Sequence, residues 1–413
     1  MYRNLAAIIL IVQFGCSSES GVRTPEADAS TSGDMSTQDS SADADTSHVS
    51  VRVATFNTSL FRGESGALVA DLKASDPQAK AVAAVIQRVR PDIVLINEFD
   101  WDANGDAAKD FAENYLNVSQ GAEPIEYPYF FVPPSNTGES TGIDLNKDGT
   151  ITAAPGSQAY GDDSFGFGRF PGQYGFVVFS RYPIMTEDIR TFQKLLWKDM
   201  PANLLPTDWY TPEAVQIMRL SSKNHVDIPI SANGKLIHIL ASHPTPPSFD
   251  GPEDRNGKRN HDEIRFWSDY ITSQADNAYI VDDAGKTGSI GADAAFVILG
   301  DLNSDPIDGD SIHAGIANLL ANPLAHDTKP QSLGAPEAAE KDGQANTTHT
   351  GDSKVDTANF SDGQVGNLRV DFVLPSANLS VLDSGVFWPA IGSPDEDLAD
   401  TSDHHLVWIE LEL

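Results

Sequence analysis

The chain of 413 residues has a formal net charge of −33, a hydrophobic content of 40% and a single cysteine, Cys16. This composition excludes a collagen-like fibre and a disulfide-stapled mini-protein. Because one cysteine can form neither an intrachain disulfide nor a cysteine-based zinc or iron–sulfur site, any bound metal must be held by oxygen or histidine ligands.

Residues 1–16 have the pattern of an export signal. Arg3 supplies a positive charge, residues 5–14 are apolar, and the apolar run is too short for the roughly 20 residues of a membrane span. The pattern resembles a bacterial lipoprotein signal, in which the cysteine becomes the lipidated first residue, although Gln13 stands where leucine is usual. An ordinary signal peptide with an incidental cysteine is the alternative. We expect an extracytoplasmic protein, anchored to a membrane through Cys16 or secreted.

Residues 17–49 are rich in Ser, Thr and Asp and contain little that a core would bury. This composition predicts a disordered acidic tether. Residues 50–413 contain 53 acidic and 25 basic side chains, a net charge of −28. Such a charge disfavours tight, non-specific binding to nucleic-acid backbones. No second tether interrupts these residues, so we expect one core with long loops.

Strands and helices alternate along residues 50–413. Apolar and β-branched runs predict strands at residues 51–56, 93–96, 129–132, 176–179, 214–220, 236–241, 296–299, 369–374 and 406–411. Asp76 and Pro77 predict the start of a helix that runs through Val89, and a second helix is expected to begin near His261. Long Gly- and Pro-rich segments at residues 133–172, 244–260 and 303–366 are predicted to be functional loops.

Polar side chains follow several of the predicted strands, at the point where each strand ends. They are Asn57, Glu98, His243, Asp301, Asn303, Asp371, Asp403 and His404. Residues at the same ends of several buried strands are expected to line one cleft. Carboxylates together with water and substrate phosphate are the ligands that Mg²⁺ prefers. Such a site can polarise a phosphoryl oxygen and generate a nucleophilic water.

The ordered set of strand-end motifs resembles the endonuclease/exonuclease/phosphatase superfamily, which includes pancreatic-type deoxyribonucleases, apurinic endonucleases, neutral sphingomyelinases and inositol polyphosphate 5-phosphatases. The resemblance extends over essentially residues 51–413. It implies an α/β fold, a four-layer α/β sandwich in which two packed mixed β-sheets are flanked by helices. The predicted strands are consistent with that architecture.

The resemblance also implies a metal site. Glu98 would be the principal ligand of Mg²⁺ or Mn²⁺, with Asn57 and Asp403 near the same ion. Several family members have an acid two residues after the asparagine of the first strand, whereas this chain has Ser59. The resemblance therefore leaves open whether one metal ion or two take part. The alternative for Asn57 is that it only caps a turn.

The same resemblance implies the catalytic groups. Asp301 and Asn303 would orient the attacking water and hold the phosphate, and His243 would donate to a phosphate oxygen. His404 would be the catalytic histidine, paired with Asp371, because a carboxylate fixes the imidazole tautomer and raises its pKa. Whether His404 or Asp301 takes the proton from water stays open. Asp301 and Asn303 are alternatively plain turn formers.

Residues 144–149 match the first half of a calcium-binding loop. Asp144, Asn146 and Asp148 occupy the first, third and fifth positions and a glycine the sixth. The twelfth position is Pro155 rather than Glu, so a complete EF-hand is not expected. A structural Ca²⁺ closed by another acid, Asp162 or Asp163, competes with a solvated turn.

Four bases within eleven residues, among them Lys258, Arg259 and Arg265, are unusual in so acidic a chain. We expect them to form an anion-binding wall that selects the non-reacting part of a substrate. Arg169 and Tyr174 would face this wall across the cleft. The alternative is a solvated helix start whose bases pair with neighbouring acids.

Together these features predict an extracytoplasmic, Mg²⁺-dependent phosphoesterase that acts on a small or medium phosphorylated substrate. The runner-up is a secreted or surface nuclease similar to pancreatic deoxyribonuclease, with nucleic acid as the substrate. An alternative of another class is a catalytically inactive surface-binding lipoprotein. No feature of the sequence indicates a protein partner.

Overall fold

A computed structural model describes residues 49–273, 275–291 and 293–413. The predicted signal segment, Cys16 and all of the tether except Val49 lie outside the described residues. Within the described ranges, no helix is both long and apolar enough to cross a membrane.

The described residues contain two mixed sheets and a short ribbon. The first sheet has the spatial order β12 (Val381–Phe387), β13 (Leu406–Glu412), β1 (Ser50–Asn57), β2 (Ile93–Asn97), β4 (Phe176–Ser180) and β3 (Tyr129–Phe131). The second has the order β11 (Asp371–Pro375), β8 (Phe296–Asp301), β7 (Lys235–Ser242), β6 (His225–Ala232) and β5 (Arg190–Thr191). The ribbon pairs β9 (Ala358–Asn359) with β10 (Asn367–Leu368).

The helices of the described residues lie between these strands in the sequence. They are α1 (Ala67–Lys73), α2 (Pro77–Val89), α3 (Asp106–Phe111), α4 (Gln158–Asp162), α5 (Pro212–Ile217), α6 (Arg255–Ile271), α7 (Ala314–Leu320) and α8 (Gly334–Asp342). The start of α2 follows from local chemistry, because Pro77 fits the first helical turn and the Asp76 carboxylate accepts a hydrogen bond from the Ala79 N–H at 2.7 Å.

Three apolar clusters fill the spaces between the layers. Val53 and Ile409 of the first sheet pack with Ile239 and Val297 of the second, which makes the central cluster the space between the sheets. One outer cluster joins the first sheet to α2 and α3, and the other joins the second sheet to α6 and α7. Alternation along β1 explains this arrangement, since successive side chains of a strand point to opposite faces. The predicted α/β four-layer sandwich is confirmed.

Most predicted elements agree with the structure within a few residues, but two differ. Residues 214–220 were expected to form a strand, whereas α5 occupies Pro212–Ile217. The Thr211 hydroxyl accepts a hydrogen bond from the Ala214 N–H and Pro212 fits the first turn, so local capping overrides the apolar run. The helix expected near His261 begins earlier, at Arg255.

The strand registers bring the polar strand ends together. Asn57 pairs with Asn97 in the parallel β1–β2 ladder, and Asp301 faces Asp371 in the antiparallel β8–β11 ladder. Gly300 has φ of 150°, and a Cβ built on it would lie 2.0 Å from the Ser242 carbonyl oxygen. The close approach of β7 and β8 next to the polar ends therefore requires glycine at this position.

Candidate active site

Asp301 is the hub of the candidate site. Its Oδ2 accepts hydrogen bonds from the Asn57 Nδ2 at 3.0 Å and from the Asn303 Nδ2 at 3.2 Å. The Asn303 backbone N–H donates to Asp301 Oδ1 at 2.8 Å. The Nε2 atoms of His243 and His404 lie 3.4 and 3.7 Å from Asp301 Oδ2. One buried carboxylate thus links the ends of β1, β7 and β8 with His404, two residues before β13.

The pKa of Asp301 reflects this crowding. Burial alone would raise the pKa of its carboxyl group, but positive charge on His404 lowers it, as do the hydrogen bonds from His243 and from the Asn57 amide. The balance holds the pKa well below its usual range. Asp301 is therefore ionised at neutral pH, and it is a weak proton acceptor that serves to orient its neighbours.

His404 is held between two carboxylates. Its Nδ1 lies 2.8 Å from Asp371 Oδ2, and its Nε2 faces Asp301. Burial of His404 opposes the charged imidazole, but Asp371 and Asp301 outweigh it and hold the pKa of His404 well above its usual value. The predicted pairing of His404 with Asp371 is therefore present, and His404 is cationic at neutral pH.

Thr357 positions Asp371. The sequence analysis identified Asp371 but not Thr357. The Thr357 hydroxyl donates to Asp371 Oδ2 at 2.8 Å, and the backbone N–H groups of Val370 and Asp371 donate to that hydroxyl oxygen, each at 3.0 Å. Thr357 stands beside β9 within a segment predicted as a loop. No local sequence pattern identifies such a residue, because its role depends on a long-range contact.

Glu98 and Asp403 form the more solvent-accessible side of the site. Glu98 follows β2 with φ of 57° and is half-buried, and Asp403 is exposed. Burial raises the pKa of Glu98 to about 7, and His404 opposes this shift. The negative charges of Asp301 and Asp403 add to it. Two carboxylates of the site thus lie close enough to destabilise the ionised form of Glu98.

Ser59 contacts Asp403 and Asn57. Its hydroxyl donates to Asp403 Oδ1 at 3.0 Å, and its N–H donates to the Asn57 Oδ1 at 3.2 Å. Asn57 therefore caps a turn and also donates to Asp301, and its place near a metal ion stays a prediction. At the position where several family members carry an acid, this chain places a neutral hydroxyl beside Asp403.

A buried lysine lies behind the site and was also missed by sequence reasoning. Lys223 is 5% exposed, and its Nζ donates to the Pro244 carbonyl oxygen at 3.3 Å. Burial lowers the pKa of Lys223, whereas the charges of Glu263, Asp301 and Glu98 raise it. Burial and then Lys223 lower the pKa of His243 to about 4, so His243 is neutral at pH 7. Lys223 lies two residues before β6, a strand that the sequence analysis did not predict.

The donor set fits a divalent metal ion. Glu98 interacts with the Asn57 side chain and with the negative charge of Asp403, and the raised pKa of Glu98 marks excess negative charge that a cation would neutralise. Among the described residues, Asp301, Asp371 and His404 also bring one ligand atom each to within 4.8 Å of one another. His404 is already paired with Asp371, whereas Glu98 and Asp403 form no salt bridge within the described part of the chain.

Tyr174 and Arg169 lie on the Glu98 side of the site. Tyr174 is half-buried, its ring centroid is 4.6 Å from that of Phe61, and its N–H donates to Asp100 Oδ1 at 3.1 Å. Burial raises the pKa of Tyr174, the negative charge of Glu98 adds to the shift, and Arg169 opposes it. Arg169 is exposed and close to Tyr174. Both residues therefore lie near Glu98, and their role in substrate binding stays a prediction.

The predicted basic wall does not form. Arg259 is 7% exposed and donates to the backbone carbonyls of Arg219, Leu220 and Ser221 at 2.8 to 3.1 Å. Arg265 donates to two backbone carbonyls of residues 201–202 and lies 3.4 Å from an Asp269 carboxylate oxygen. The physical reason is that both side chains extend from α6 toward neighbouring segments and donate to backbone carbonyls there.

Lys258 differs from the other predicted residues of that wall. It is half-buried and forms no side-chain ion pair among the described contacts. Its Nζ donates to the Glu253 carbonyl oxygen at 2.7 Å. A single lysine tied to its own helix start does not make an anion pocket.

A model of the endonuclease/exonuclease/phosphatase family matches residues 54–404, which include every strand-end residue of the site. A comparison with curated proteins finds no match. Solved structures with the same fold are similar to this chain at low identity.

An endonuclease/exonuclease/phosphatase protein from Beutenbergia cavernae is 18% identical with a TM-score of 0.49, and the match covers 88% of this chain and 72% of that one. A family protein from Bacteroides thetaiotaomicron is 13% identical with a TM-score of 0.45, covering 88% and 95%. Sphingomyelinase C from Streptomyces griseocarneus is 16% identical with a TM-score of 0.41, covering 88% and 99%.

Proposed function

Because the chain belongs to the endonuclease/exonuclease/phosphatase family, whose members are hydrolases that act on phosphoester bonds, we propose that it is a divalent-metal-dependent hydrolase of a small or medium phosphorylated substrate. The observation that carries this proposal is the imidazole of His404, held between Asp371 and Asp301 at the meeting ends of the two sheets. This pairing supplies a buried, charged acid beside an ionised carboxylate.

The proposed reaction is attack of water on phosphorus. Asp301 and Asn303 orient the water, its oxygen forms a bond to phosphorus, and the phosphoester bond to the leaving oxygen breaks. His404, being cationic, donates its proton to the leaving oxygen, and the proton that the attacking water loses passes to a phosphoryl oxygen or back to the neutral His404, because the ionised Asp301 is too weak a base to act as the main proton acceptor. His243, being neutral, donates one hydrogen bond to a phosphate oxygen.

Asn57, Glu98 and Asp403 would hold the metal ion. When bound, a divalent ion of this kind polarises phosphoryl oxygen and lowers the pKa of water. Glu98 gives this assignment its strongest support. Its acidic neighbours destabilise its ionised form, and a bound cation would offset their negative charge. Mg²⁺ and Mn²⁺ suit such an oxygen-rich set.

A small substrate is favoured over a polynucleotide by the state of the bases near the site. Arg259 and Arg265 are engaged with backbone carbonyls and do not offer a continuous surface for phosphates. Arg169 is the exposed base close to Tyr174 and is the residue that we assign to binding the non-reacting part of the substrate. A pocket lined by Asn359, Trp388 and Asp403 can accept an adjacent group.

An activity panel tests the proposal. The purified protein is assayed with Mg²⁺ on an aryl phosphodiester, an aryl monoester, sphingomyelin, inositol phosphates, RNA and plasmid DNA, as wild type, His404→Ala and His238→Ala. His238 is the matched control, since its Nδ1 lies 2.7 Å from Asp227 Oδ1 in another Asp–His pair. Hydrolysis of at least one ester that is lost in His404→Ala and retained in His238→Ala supports the proposal. Inactivity on every substrate, or equal activity of the two variants, contradicts it.

We further propose that the protein is extracytoplasmic and lipidated at Cys16. The support is the order of Arg3, the apolar residues 5–14 and the lone cysteine. Replacement of Cys16 by alanine in the expressing cell should release the protein from the membrane fraction. Unchanged membrane association of Cys16→Ala would exclude the lipid anchor.

A further inference from the structure

A second group of acidic side chains lies apart from the strand ends, in the segment that leads from β3 to β4. Asp144, Asn146 and Asp148 occupy a tight turn whose backbone N–H groups point to the side chains. The Asp148 and Gly149 N–H groups donate to the two carboxylate oxygens of Asp144, at 3.2 and 2.9 Å. Gly149 has φ of 82°, which the glycine at the sixth loop position allows.

The burial of Asp163 and its unpartnered carboxylate oxygen distinguish this turn from a cluster of surface acids. It is 1% exposed, and its Oδ1 accepts a hydrogen bond from the Leu145 N–H at 2.7 Å, so the carboxylate is fixed against the turn. Its other oxygen, Oδ2, is buried and has no hydrogen-bond partner within the described part of the chain. A buried carboxylate oxygen without a partner carries a large desolvation cost unless a cation compensates it.

Asp162 brings a further carboxylate to the same place from the end of α4. The Asn146 Nδ2 lies 3.5 Å from Asp162 Oδ2 and 3.2 Å from Asp148 Oδ2. Burial raises the pKa of Asp163, and the negative charges of Asp144, Asp148 and Asp162 raise it further. Arg255 is a nearby base that partly offsets Asp162. The group therefore retains excess negative charge.

We propose that residues 144–150 together with Asp162 and Asp163 bind one structural Ca²⁺ ion. Side-chain oxygens come from the first, third and fifth loop positions, a backbone carbonyl comes from Thr150 at the seventh, and Asp162 and Asp163 replace the glutamate that an EF-hand has at its twelfth position. This set offers the six or more oxygen ligands that Ca²⁺ takes. The ion would join the turn to the end of α4, a few residues before Arg169.

Trp209 provides a reporter for this site. Its Nε1 donates to the Leu145 carbonyl oxygen at 3.1 Å, and the Lys147 Nζ lies 4.3 Å from its ring centroid. The indole thus contacts the turn itself. Terbium, which replaces calcium on oxygen ligands, should therefore emit when Trp209 is excited.

The experiment is a titration of chelator-treated protein with Tb³⁺, and with Ca²⁺ by calorimetry, in excess Mg²⁺ to keep the active-site ligands occupied. We expect sensitised emission that Ca²⁺ displaces, one Ca²⁺ per chain, and an affinity at least ~10-fold weaker in Asp163→Asn, as when even an outer-shell partner of a metal is removed. Asp148→Asn is a second variant at an exposed position, for the case that Asp163→Asn does not fold.

Asp208→Asn is the matched control, because Asp208 is an exposed acid next to Trp209 that lies outside the proposed ligand set. It should bind Ca²⁺ as wild type does, and Trp209→Phe should lose the emission while retaining the calorimetric signal. No Ca²⁺ binding in excess Mg²⁺, or equal affinity of wild type and Asp148→Asn, would overturn the proposal. Because binding is measured directly, these outcomes do not depend on catalysis.

Discussion

The interaction between His404 and Asp371 is the residue-scale feature on which the proposed chemistry depends. His404→Ala and Asp371→Asn should each lower the rate of hydrolysis at least ~10²-fold, the contribution typical of a general acid–base group. The double variant should lose little more than either single variant, because both residues serve one proton transfer. The measurement is kcat/KM for the four proteins, with His238→Ala as control. Multiplicative losses in the double variant would show that the two residues act separately.

Glu98 links metal binding to pH. Its pKa is raised to about 7, so below that pH the carboxyl group holds a proton that a metal ion must displace. The affinity for Mg²⁺ should therefore fall as the pH decreases below about 7, approaching tenfold per pH unit for one displaced proton, and level off above it. Calorimetry across this range measures it. Glu98→Gln should bind Mg²⁺ more weakly and without this slope. A wild-type affinity that is constant from pH 6 to 8 would contradict the assignment of Glu98.

At the scale of elements, Arg259 of helix α6 was expected to bind a substrate anion, but its contacts give it a structural role. Arg259→Leu leaves the carbonyls of residues 219–221 without their donor, and should lower the free energy of unfolding by about 1–3 kcal/mol with KM unchanged. Lys258→Leu is the control at the neighbouring, more exposed position, with an expected change within about 0.5 kcal/mol. Urea unfolding and KM are measured for both. A raised KM with unchanged stability in Arg259→Leu would restore the predicted anion wall.

An element could be predicted from the sequence where the pattern of its own residues is distinctive. Continuous apolar runs such as Ile93–Asn97 identify strands buried on both faces, because few other structures accommodate them. β6 (His225–Ala232) was missed, since Pro229 and the polar residues Asp227 and Ser231 interrupt its pattern. Pro229 is tolerated although β6 is an inner strand of its sheet, and its backbone carbonyl accepts a hydrogen bond from the Met185 N–H at 2.9 Å.

The candidate site was predictable to the extent that strand ends carry it. Asn57, Glu98, His243, Asp301 and His404 follow or precede recognisable strands, and the structure brings them together. Thr357 and Lys223 were not predictable, because contacts distant in sequence, rather than a motif, place them at the site. The prediction of the basic wall was wrong, because the sequence alone does not reveal which basic side chains donate to backbone carbonyls.

For the whole molecule, the charge distribution predicts how the protein responds to salt. With a net charge of −33, and with Arg259 and Arg265 engaged by backbone carbonyls, binding to any polynucleotide should depend weakly on salt. We expect a slope of log KM against log salt no larger than about three or four. The same measurement on the best small substrate provides the reference. Efficient DNA cleavage with a much steeper slope that Arg169→Ala reduces would favour a nuclease.

The central claim is that one strand-end cluster hydrolyses phosphoesters with the help of a divalent ion held by Glu98 and its neighbours. Its most direct test is hydrolysis of the best substrate after exhaustive chelation, followed by addition of Mg²⁺ or Mn²⁺, in wild type and Glu98→Gln. We predict that chelation abolishes hydrolysis, that either ion restores it, and that Glu98→Gln requires a higher ion concentration while unfolding at an unchanged urea concentration. Full hydrolysis by the chelated wild-type protein would contradict the claim.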